Sequence, residues 1–208
     1  TQFGEDQYFS TLRNTWKMEE LITKHSAIMD KYDAQKRVGL VVDEWGIWTD
    51  VEPGTNPGFL YQQNTLRDAI LAAINLHIFH AHADRVTMAN IAQMINVLQA
   101  MILTDKEKIL LTPTYHVFEM FKVHQGATSL PCQLTTPDYV FGGNKIPAVS
   151  ASASRDAAGR IHLSFSNADP KRGIRVEGKL TGVGARAVSG RVLTAPAMHA
   201  HNTFAAPD

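Results

Sequence analysis

A short apolar run that ends abruptly in two acids is the feature of this sequence that most restricts its fold. Four of the five residues at 38–42 are valine or leucine, and Asp43 and Glu44 follow them with no turn residue between. A β-branched run of this length is typical of a strand buried on both faces, as in a parallel sheet covered by helices. In such sheets the C-terminal ends of the strands carry the chemistry, so we expect at least one of these carboxylates at a functional end.

Two tryptophans and a glycine follow the acids. Trp45 and Trp48 would add flat apolar surfaces on which sugars can stack, and Gly46 would let the backbone turn tightly or approach a ligand. The same residues allow a plainer interpretation. In it the strand ends in a solvated loop, Asp43 caps the next element and both tryptophans lie in the core. The local sequence supports both interpretations equally.

Charge and cysteine content exclude several classes of function. The chain has 208 residues, and its 20 basic and 20 acidic residues give a formal net charge of zero. There is thus no electrostatic case for nucleic acid or an anionic membrane, and a neutral substrate fits better. The single Cys132 excludes an internal disulfide and a thiolate metal site, and it allows a reducing compartment. No apolar run approaches the roughly 20 residues of a membrane span.

The ends of the sequence are unusual. The chain opens at Thr1 without a methionine and runs directly into a helix-like pattern, and it closes without a polar tail. We expect both ends to be cut from a longer polypeptide.

Hydrophobic periodicity predicts alternating helices and strands in the first 126 residues. An amphipathic helix is expected at about 12–32, a helix that is apolar nearly all round at 60–79, and a second strand at 86–91. A further helix should begin after Thr112 as N-cap, with Pro113 as its first residue, and should stop before Gly126. The order strand, helix, strand, helix is that of βα repeats.

Three histidines near the end of the second of these helices suggest a metal site at first sight. His77, His80 and His82 do not have the i, i+4 spacing of a helical ligand pair, and no carboxylate completes the set. Packing and capping roles fit them better. Asp84 and Arg85, which follow, are expected to anchor the turn into the second strand.

The composition changes after Gly126. Period-two alternation at 148–154 and 161–165, with further runs at 174–180 and 187–193, predicts short strands separated by turn residues. We expect an antiparallel β domain, most simply a sandwich, and find no catalytic constellation in it.

Five blocks of this sequence resemble a known family, and they are residues 41–45, 52–58, 61–68, 82–86 and 89–93. In the right order, they resemble the C-terminal part of the α-L-arabinofuranosidases of glycoside hydrolase family 51. The ending at 192–194 and 201–204 resembles the last strands of the same enzymes. The resemblance runs nearly from end to end, and it is more specific than any one motif.

The resemblance implies an α/β plus all-β architecture. Residues 1–126 would be the C-terminal part of a (β/α)₈ TIM barrel of glycosidase clan A, and residues 127–208 a β-sandwich domain. Glu44 would be the catalytic nucleophile at the end of the seventh strand. Gln93, after the eighth strand, would hydrogen-bond the arabinofuranosyl ring, and Trp48 would line the pocket.

The resemblance also implies the activity. Members of the family release terminal α-L-arabinofuranosyl groups from arabinoxylan and arabinan with retention, and they use no metal or organic cofactor. We therefore expect arabinose-containing oligosaccharides as substrates and neither nucleic acid nor membrane as a partner. A cytoplasmic homo-oligomer is expected, with secretion left open.

A second catalytic carboxyl group is missing from this sequence. A retaining glycosidase needs two carboxyl groups about 5 to 5.5 Å apart, and strand alternation should turn Asp43 away from Glu44. In the family the acid/base lies in an Asn-Glu pair after the fourth strand, and no such pair occurs here. A full barrel takes about 250 residues. We therefore expect a C-terminal portion that is inactive alone.

The sequence is also compatible with two other functions. Another clan A retaining glycosidase, such as a β-xylosidase or an endoglucanase, would share the strand-end glutamate. A non-catalytic carbohydrate-binding protein would keep the surface of Trp45 and Trp48 and would account for the missing acid/base.

Overall fold

The computed structural model describes residues 2–184 and 187–207. Both helices and short strands occur as far as His124, and the described elements after it are all strands. Two 3-10 helices lie at Pro57–Phe59 and Lys122–His124. The other elements are, in order, α1 (Glu5–Thr15), α2 (Lys17–Met29), β1 (Leu40–Trp45), α3 (Leu66–Ala81), β2 (Val86–Ile91), β3 (Ile102–Asp105), β4 (Lys108–Leu111), α4 (Pro113–Phe121), β5 (Thr128–Leu130), β6 (Asp138–Phe141), β7 (Asn144–Pro147), β8 (Val149–Arg155) and β9 (Ile161–Asn167).

The parallel strand pair predicted from the apolar runs is confirmed. β1 and β2 pair in parallel, with Val42 opposite Ala89 and Trp45 opposite Ile91. Parallel neighbours need a crossover connection, and α3 supplies it. Within the described residues this parallel sheet has two strands and does not close into a barrel.

The single helix expected at 12–32 is two helices. α1 begins at Glu5, and the helix is interrupted at Trp16 before α2 begins at Lys17. α1 buries Tyr8, Phe9 and Leu12, whereas Ile22 is the buried residue of α2. The predicted helix starts too late in the sequence because the periodic pattern does not include the apolar residues before Leu12.

The helix expected from residue 60 begins six residues later, at Leu66. Leu60 has a left-handed backbone with φ of +51°, which a helix does not allow. The start is set by a capping box in which the N–H and Oγ1 of Thr65 both donate to Asp68 Oδ2 at 2.7 Å. The free N–H groups of Leu66 and Arg67 donate to carbonyl oxygens of the C-terminal segment 198–200.

α4 begins and ends as predicted. The Thr112 hydroxyl accepts a hydrogen bond from the Tyr115 N–H at 3.4 Å, and Pro113 is the first helical residue. A 3-10 turn continues the helix to His124, and Gly126, with φ of +68°, turns the chain away.

The alternating segments after Gly126 form an antiparallel sheet in the order β5-β8-β9, and β6 and β7 form a separate hairpin. The strands expected at 148–154 and 161–165 are confirmed. Those expected at 174–180 and 187–193 are wrong, because both stretches are described and neither forms a strand. Val188 and Val192 are 91% and 84% exposed, so their side chains are not packed against the sheet.

One hydrophobic core runs through the helices and the β region. Phe9 of α1 packs on Tyr139 of β6 with ring centroids 5.1 Å apart, and the Tyr8 hydroxyl donates to the Ala168 carbonyl at 2.9 Å. Buried residues of α3 and α4 join the same cluster. The domain division at 126/127 stays a prediction. No helix in the described part of the chain is long and apolar enough to cross a membrane.

Candidate functional site

Asp43 and Glu44 lie exposed at the C-terminal end of β1, as predicted. The pairing advances by three residues on β1, from Val42 to Trp45, and by two on β2, from Ala89 to Ile91. β1 therefore carries one extra residue at the two acids. Such bulges are common next to active sites, where they redirect a side chain. Simple alternation thus does not decide by itself which carboxylate faces which side of the sheet.

The two tryptophans have opposite environments. Trp45 is 5% exposed and lies against Phe79, at 5.4 Å between ring centroids, and Phe118, at 6.0 Å with an interplanar angle of 14°. The expectation that it offers a sugar-stacking surface is wrong, because its ring is buried between α3 and α4. Trp48 is 69% exposed and remains available for contact with a ligand.

Gly46 makes the turn that follows the acids. Its φ is +137°, a conformation that other residues rarely adopt. A Cβ atom built on it would lie 3.2 Å from Gln99 Oε1 and 3.4 Å from the Ala92 carbonyl oxygen. The glycine thus lets the turn after β1 approach the turn after β2.

Gln93 lies two residues beyond the end of β2, and its side chain is exposed. The preceding Ala92 donates its N–H to the Trp45 carbonyl at 2.8 Å, so the two strand ends are hydrogen-bonded to each other. The peptide bond between Ala92 and Gln93 is cis. The structure therefore brings the Glu44 and Gln93 segments together at neighbouring strand ends.

The buried Gln62 supports the turn after β1 by hydrogen bonds to the backbone of both residues that flank Trp48. Gln62 is 3% exposed. Its Oε1 accepts from the Thr49 N–H at 2.9 Å, and its Nε2 donates to the Ile47 carbonyl at 3.1 Å. The backbone on both sides of Trp48 is held by this one amide. The local sequence pattern does not predict this role for Gln62.

A second buried glutamine, Gln99, also contacts this turn, and its amide accepts from the Ile47 N–H at 2.9 Å. It was likewise missed. The available signal was its position as an uncharged polar residue inside the apolar run 97–103, because a buried amide needs hydrogen-bond partners.

The histidines lie away from the strand ends and have packing and capping roles. The Nδ1 atoms of His77 and His80 are 3.0 and 2.9 Å from Ser152 Oγ on β8. Burial lowers the pKa of His77 to about 3, so it is neutral near pH 7. His82 is the C-cap of α3 and its Nε2 lies 2.7 Å from Glu19. Among the described residues, no three metal-ligating side chains converge.

Comparison with known proteins identifies the family. Residues 43–208 match the family model described as the alpha-L-arabinofuranosidase C-terminal domain. The structure superposes on the crystal structure of the GH51 arabinofuranosidase from Xanthomonas axonopodis pv. citri with a TM-score of 0.94 and 54% identity. That match covers 100% of this chain and 42% of the other. The chain belongs to the α-L-arabinofuranosidases of glycoside hydrolase family 51.

Other arabinofuranosidases are similar over the same span. An intracellular exo-alpha-L-arabinofuranosidase of Bacteroides ovatus is 47% identical over 209 residues, which cover 100% of this chain and 41% of the relative. The arabinose complex of the Thermotoga maritima alpha-L-arabinofuranosidase matches with a TM-score of 0.79 and 25% identity, over 99% of this chain and 44% of that chain. The chain thus spans about two fifths of the length of these arabinofuranosidases and corresponds to their C-terminal part.

Proposed function

We propose that this chain is the C-terminal portion of a retaining α-L-arabinofuranosidase. The complete enzyme would release terminal non-reducing arabinofuranosyl groups from arabinoxylan and arabinan oligosaccharides. Glu44 would be its nucleophile, and Gln93 and Trp48 would bind substrate. Family membership supports the substrate class, since the Bacteroides ovatus relative is named an exo-alpha-L-arabinofuranosidase.

The observation that carries the proposal is the meeting of two parallel strand ends. An exposed carboxylate, Glu44, is the penultimate residue of one strand, and an exposed amide, Gln93, follows the other. The Ala92 to Trp45 hydrogen bond joins the two strand ends. A nucleophile gains most from being aimed rigidly, and a strand end supplies that rigidity.

The reaction would proceed in two displacements. A Glu44 carboxylate oxygen attacks the anomeric carbon, while a separate carboxylic acid protonates the departing glycosidic oxygen. Water then attacks the same carbon, gives its proton to that second carboxylate and frees Glu44. Gln93 would hydrogen-bond the arabinose ring, and Trp48 would provide an apolar wall. The acid/base would lie outside this chain, since the sequence holds no Asn-Glu pair.

The complete fold would be a (β/α)₈ barrel followed by a β-sandwich, with β1 and β2 as its seventh and eighth strands. The 41% share of the relative's length supports this, because a barrel of about 250 residues needs more chain than precedes β5 here. Alone, the 208 residues would leave the β1–β2 sheet open at its edges, so we expect association or aggregation and no turnover.

We propose a cytoplasmic homo-oligomer that needs no metal or organic cofactor. The word intracellular in the name of the Bacteroides ovatus relative supports the compartment. Sedimentation of the complete gene product tests the oligomer, since a monomer at all concentrations would contradict it.

The deciding experiment replaces Glu44 by alanine in the complete gene product. Release of the aryl group from an aryl α-L-arabinofuranoside should fall by several orders of magnitude. Azide should restore part of this release, because it displaces the aryl group itself and forms an arabinosyl azide of inverted configuration. Asp43→Asn is the matched control, because it changes the neighbouring exposed acid and should retain far more activity.

Two further outcomes would contradict the proposal. Activity that survives in Glu44→Ala, or fails to respond to azide, would exclude Glu44 as the nucleophile. Turnover of an aryl β-xyloside instead of the arabinofuranoside by the unmodified enzyme would favour another clan A glycosidase.

A further inference from the structure

We propose that Gln99 is a positioning residue, which holds the turn that follows Glu44 and the turn that carries Gln93 at a fixed separation. The inference rests on the proposed function. Gln99 is fully buried and would not touch substrate, so it would act only through these two turns.

The side chain and the backbone of Gln99 contact different turns. Its side-chain Oε1 accepts from the N–H of Ile47, three residues after Glu44, at 2.9 Å. Its backbone N–H donates to the carbonyl oxygen of Ala92, the residue before Gln93, at 3.1 Å. One residue therefore fixes both turns relative to a single Cα atom.

The orientation of the Gln99 amide is determined by its remaining contacts. Nε2 donates to the backbone carbonyl of Asp68 on α3 at 2.8 Å and to Thr114 Oγ1 on α4 at 3.2 Å. Reversing the amide would place a donor against the Ile47 N–H and an acceptor against the Asp68 carbonyl. All donors and acceptors are satisfied in one orientation only, so the amide is locked to both helices.

Gly46 supports the same conclusion. A Cβ at this position would lie 3.2 Å from Gln99 Oε1, tighter than ordinary van der Waals contact. The absence of a side chain at Gly46 therefore lets the turn next to Glu44 lie close to the Gln99 amide. A displacement of this turn by about 1 Å can cost up to about 100-fold in rate, because catalysis depends on the attack geometry.

Asn64 provides a matched control. It is as fully buried as Gln99, and its Nδ2 donates to the Ala100 carbonyl at 2.7 Å. This hydrogen bond involves none of residues 43–48 or 92–93. Loss of the Asn64 amide should destabilise the fold without moving Glu44.

The test compares Gln99→Met, Gln99→Glu and Asn64→Leu in the complete gene product with an aryl α-L-arabinofuranoside. Gln99→Met keeps the length of the side chain and removes its hydrogen bonds. We expect kcat to fall about 10- to 100-fold with KM little changed. Asn64→Leu should lower the unfolding midpoint and leave kcat near that of the parent.

Gln99→Glu supplies a readout that a purely structural role would not produce. A protonated carboxyl group can accept from Ile47 and donate to the Asp68 carbonyl, whereas a carboxylate cannot donate. Burial favours the protonated form. We expect kcat close to the parent at low pH and a new loss of kcat as pH rises, a limb that the parent lacks. If Gln99→Met does not fold, the pH dependence of kcat in Gln99→Glu still tests the positioning role of Gln99.

Opposite outcomes overturn the inference. A folded Gln99→Met with the kcat of the parent would overturn it. So would a loss of kcat in Asn64→Leu as large as that in Gln99→Met. A pH profile of kcat in Gln99→Glu that runs parallel to that of the parent would also overturn it. Glu44→Ala distinguishes a failure of this inference from a failure of the proposed function. If Glu44→Ala is inactive while the Gln99 variants are normal, this inference alone fails. If Glu44→Ala is active, the proposed function fails and this inference fails with it.

Discussion

Arg85 donates a hydrogen bond from Nη1 to the Asp33 carboxylate, 2.9 Å away, and so joins the start of β2 to the connection between α2 and β1. The same guanidinium donates to the carbonyls of Val38, at 2.8 Å, and Asp33, at 3.0 Å, and it also contacts Asp30. Its side chain is 1% exposed. The expectation that Arg85 anchors the turn into the second strand is thereby confirmed.

Replacing Arg85 by leucine should lower the midpoint of thermal unfolding by on the order of 10 °C, because the partly buried Asp33 carboxylate then loses its buried cation. Arg37→Leu is the control, since Arg37 also approaches Asp33, at 3.8 Å, but is 81% exposed. Calorimetry of the complete gene product measures both. Equal midpoints for the two variants would show that the Arg85 cluster contributes no more than a surface pair.

The interface between the helices and the β8–β9 sheet should weaken in acid. Burial, with nearby histidines as a smaller cause, lowers the pKa of His77 to about 3 and that of His124 to about 4. In the unfolded chain both titrate near 6.5. Stability should therefore be complete above about pH 6.5 and fall as pH drops toward 4, by at most about 1.4 kcal/mol per pH unit for each histidine.

Urea unfolding at a series of pH values checks this slope. His124 lies 2.7 Å from both Ser154 Oγ and Ser164 Oγ, and it faces the rings of His80, at 4.7 Å, and His162, at 6.4 Å. On the far side, the Asp156 carboxylate contacts His162. His124→Gln should flatten the slope, whereas His201→Gln, on an exposed residue, should not. An unchanged slope in His124→Gln would refute the assignment.

Gly46→Ala should destabilise the complete enzyme by more than about 1 kcal/mol, since the backbone is left-handed and the Gln99 amide is close. Gly54→Ala separates the two causes. Gly54 also has a positive φ, of +83°, but nothing lies within 4 Å of a Cβ there. Denaturant unfolding should show a larger loss for Gly46→Ala, with lower kcat only in that variant. Equal losses of stability in the two variants would show that backbone strain alone accounts for the destabilisation.

Trp45 and Trp48 should respond in opposite ways to alanine. Trp45→Ala should cost about 3 to 5 kcal/mol of stability, because a buried ring is removed from between α3 and α4. Trp48→Ala should change stability by less than about 0.5 kcal/mol, because the ring is largely exposed. If Trp48 lines the arabinose subsite, its loss should instead raise KM, which initial-rate kinetics will measure. An unchanged KM would show that Trp48 does not line the arabinose subsite.

Local signals were enough where neighbouring residues determine the structure. The β-branched run before Asp43 predicted β1, and the Thr112-Pro113 pair predicted the start of α4, because strand preference and helix capping act within a few residues. Such signals failed at 174–180 and 187–193. A strand exists only if another strand pairs with it, and the alternation of a single segment does not contain that information.

The sequence alone determined the family and the strand that ends in Asp43 and Glu44, because both depend on the order of residues along the chain. The tertiary structure decided that Trp45 is buried while Trp48 is exposed, and that the Gln99 amide reaches Ile47 from 52 positions away. These outcomes depend on where α3 and α4 lie over the sheet, and that placement is set by packing among distant residues rather than by any local pattern.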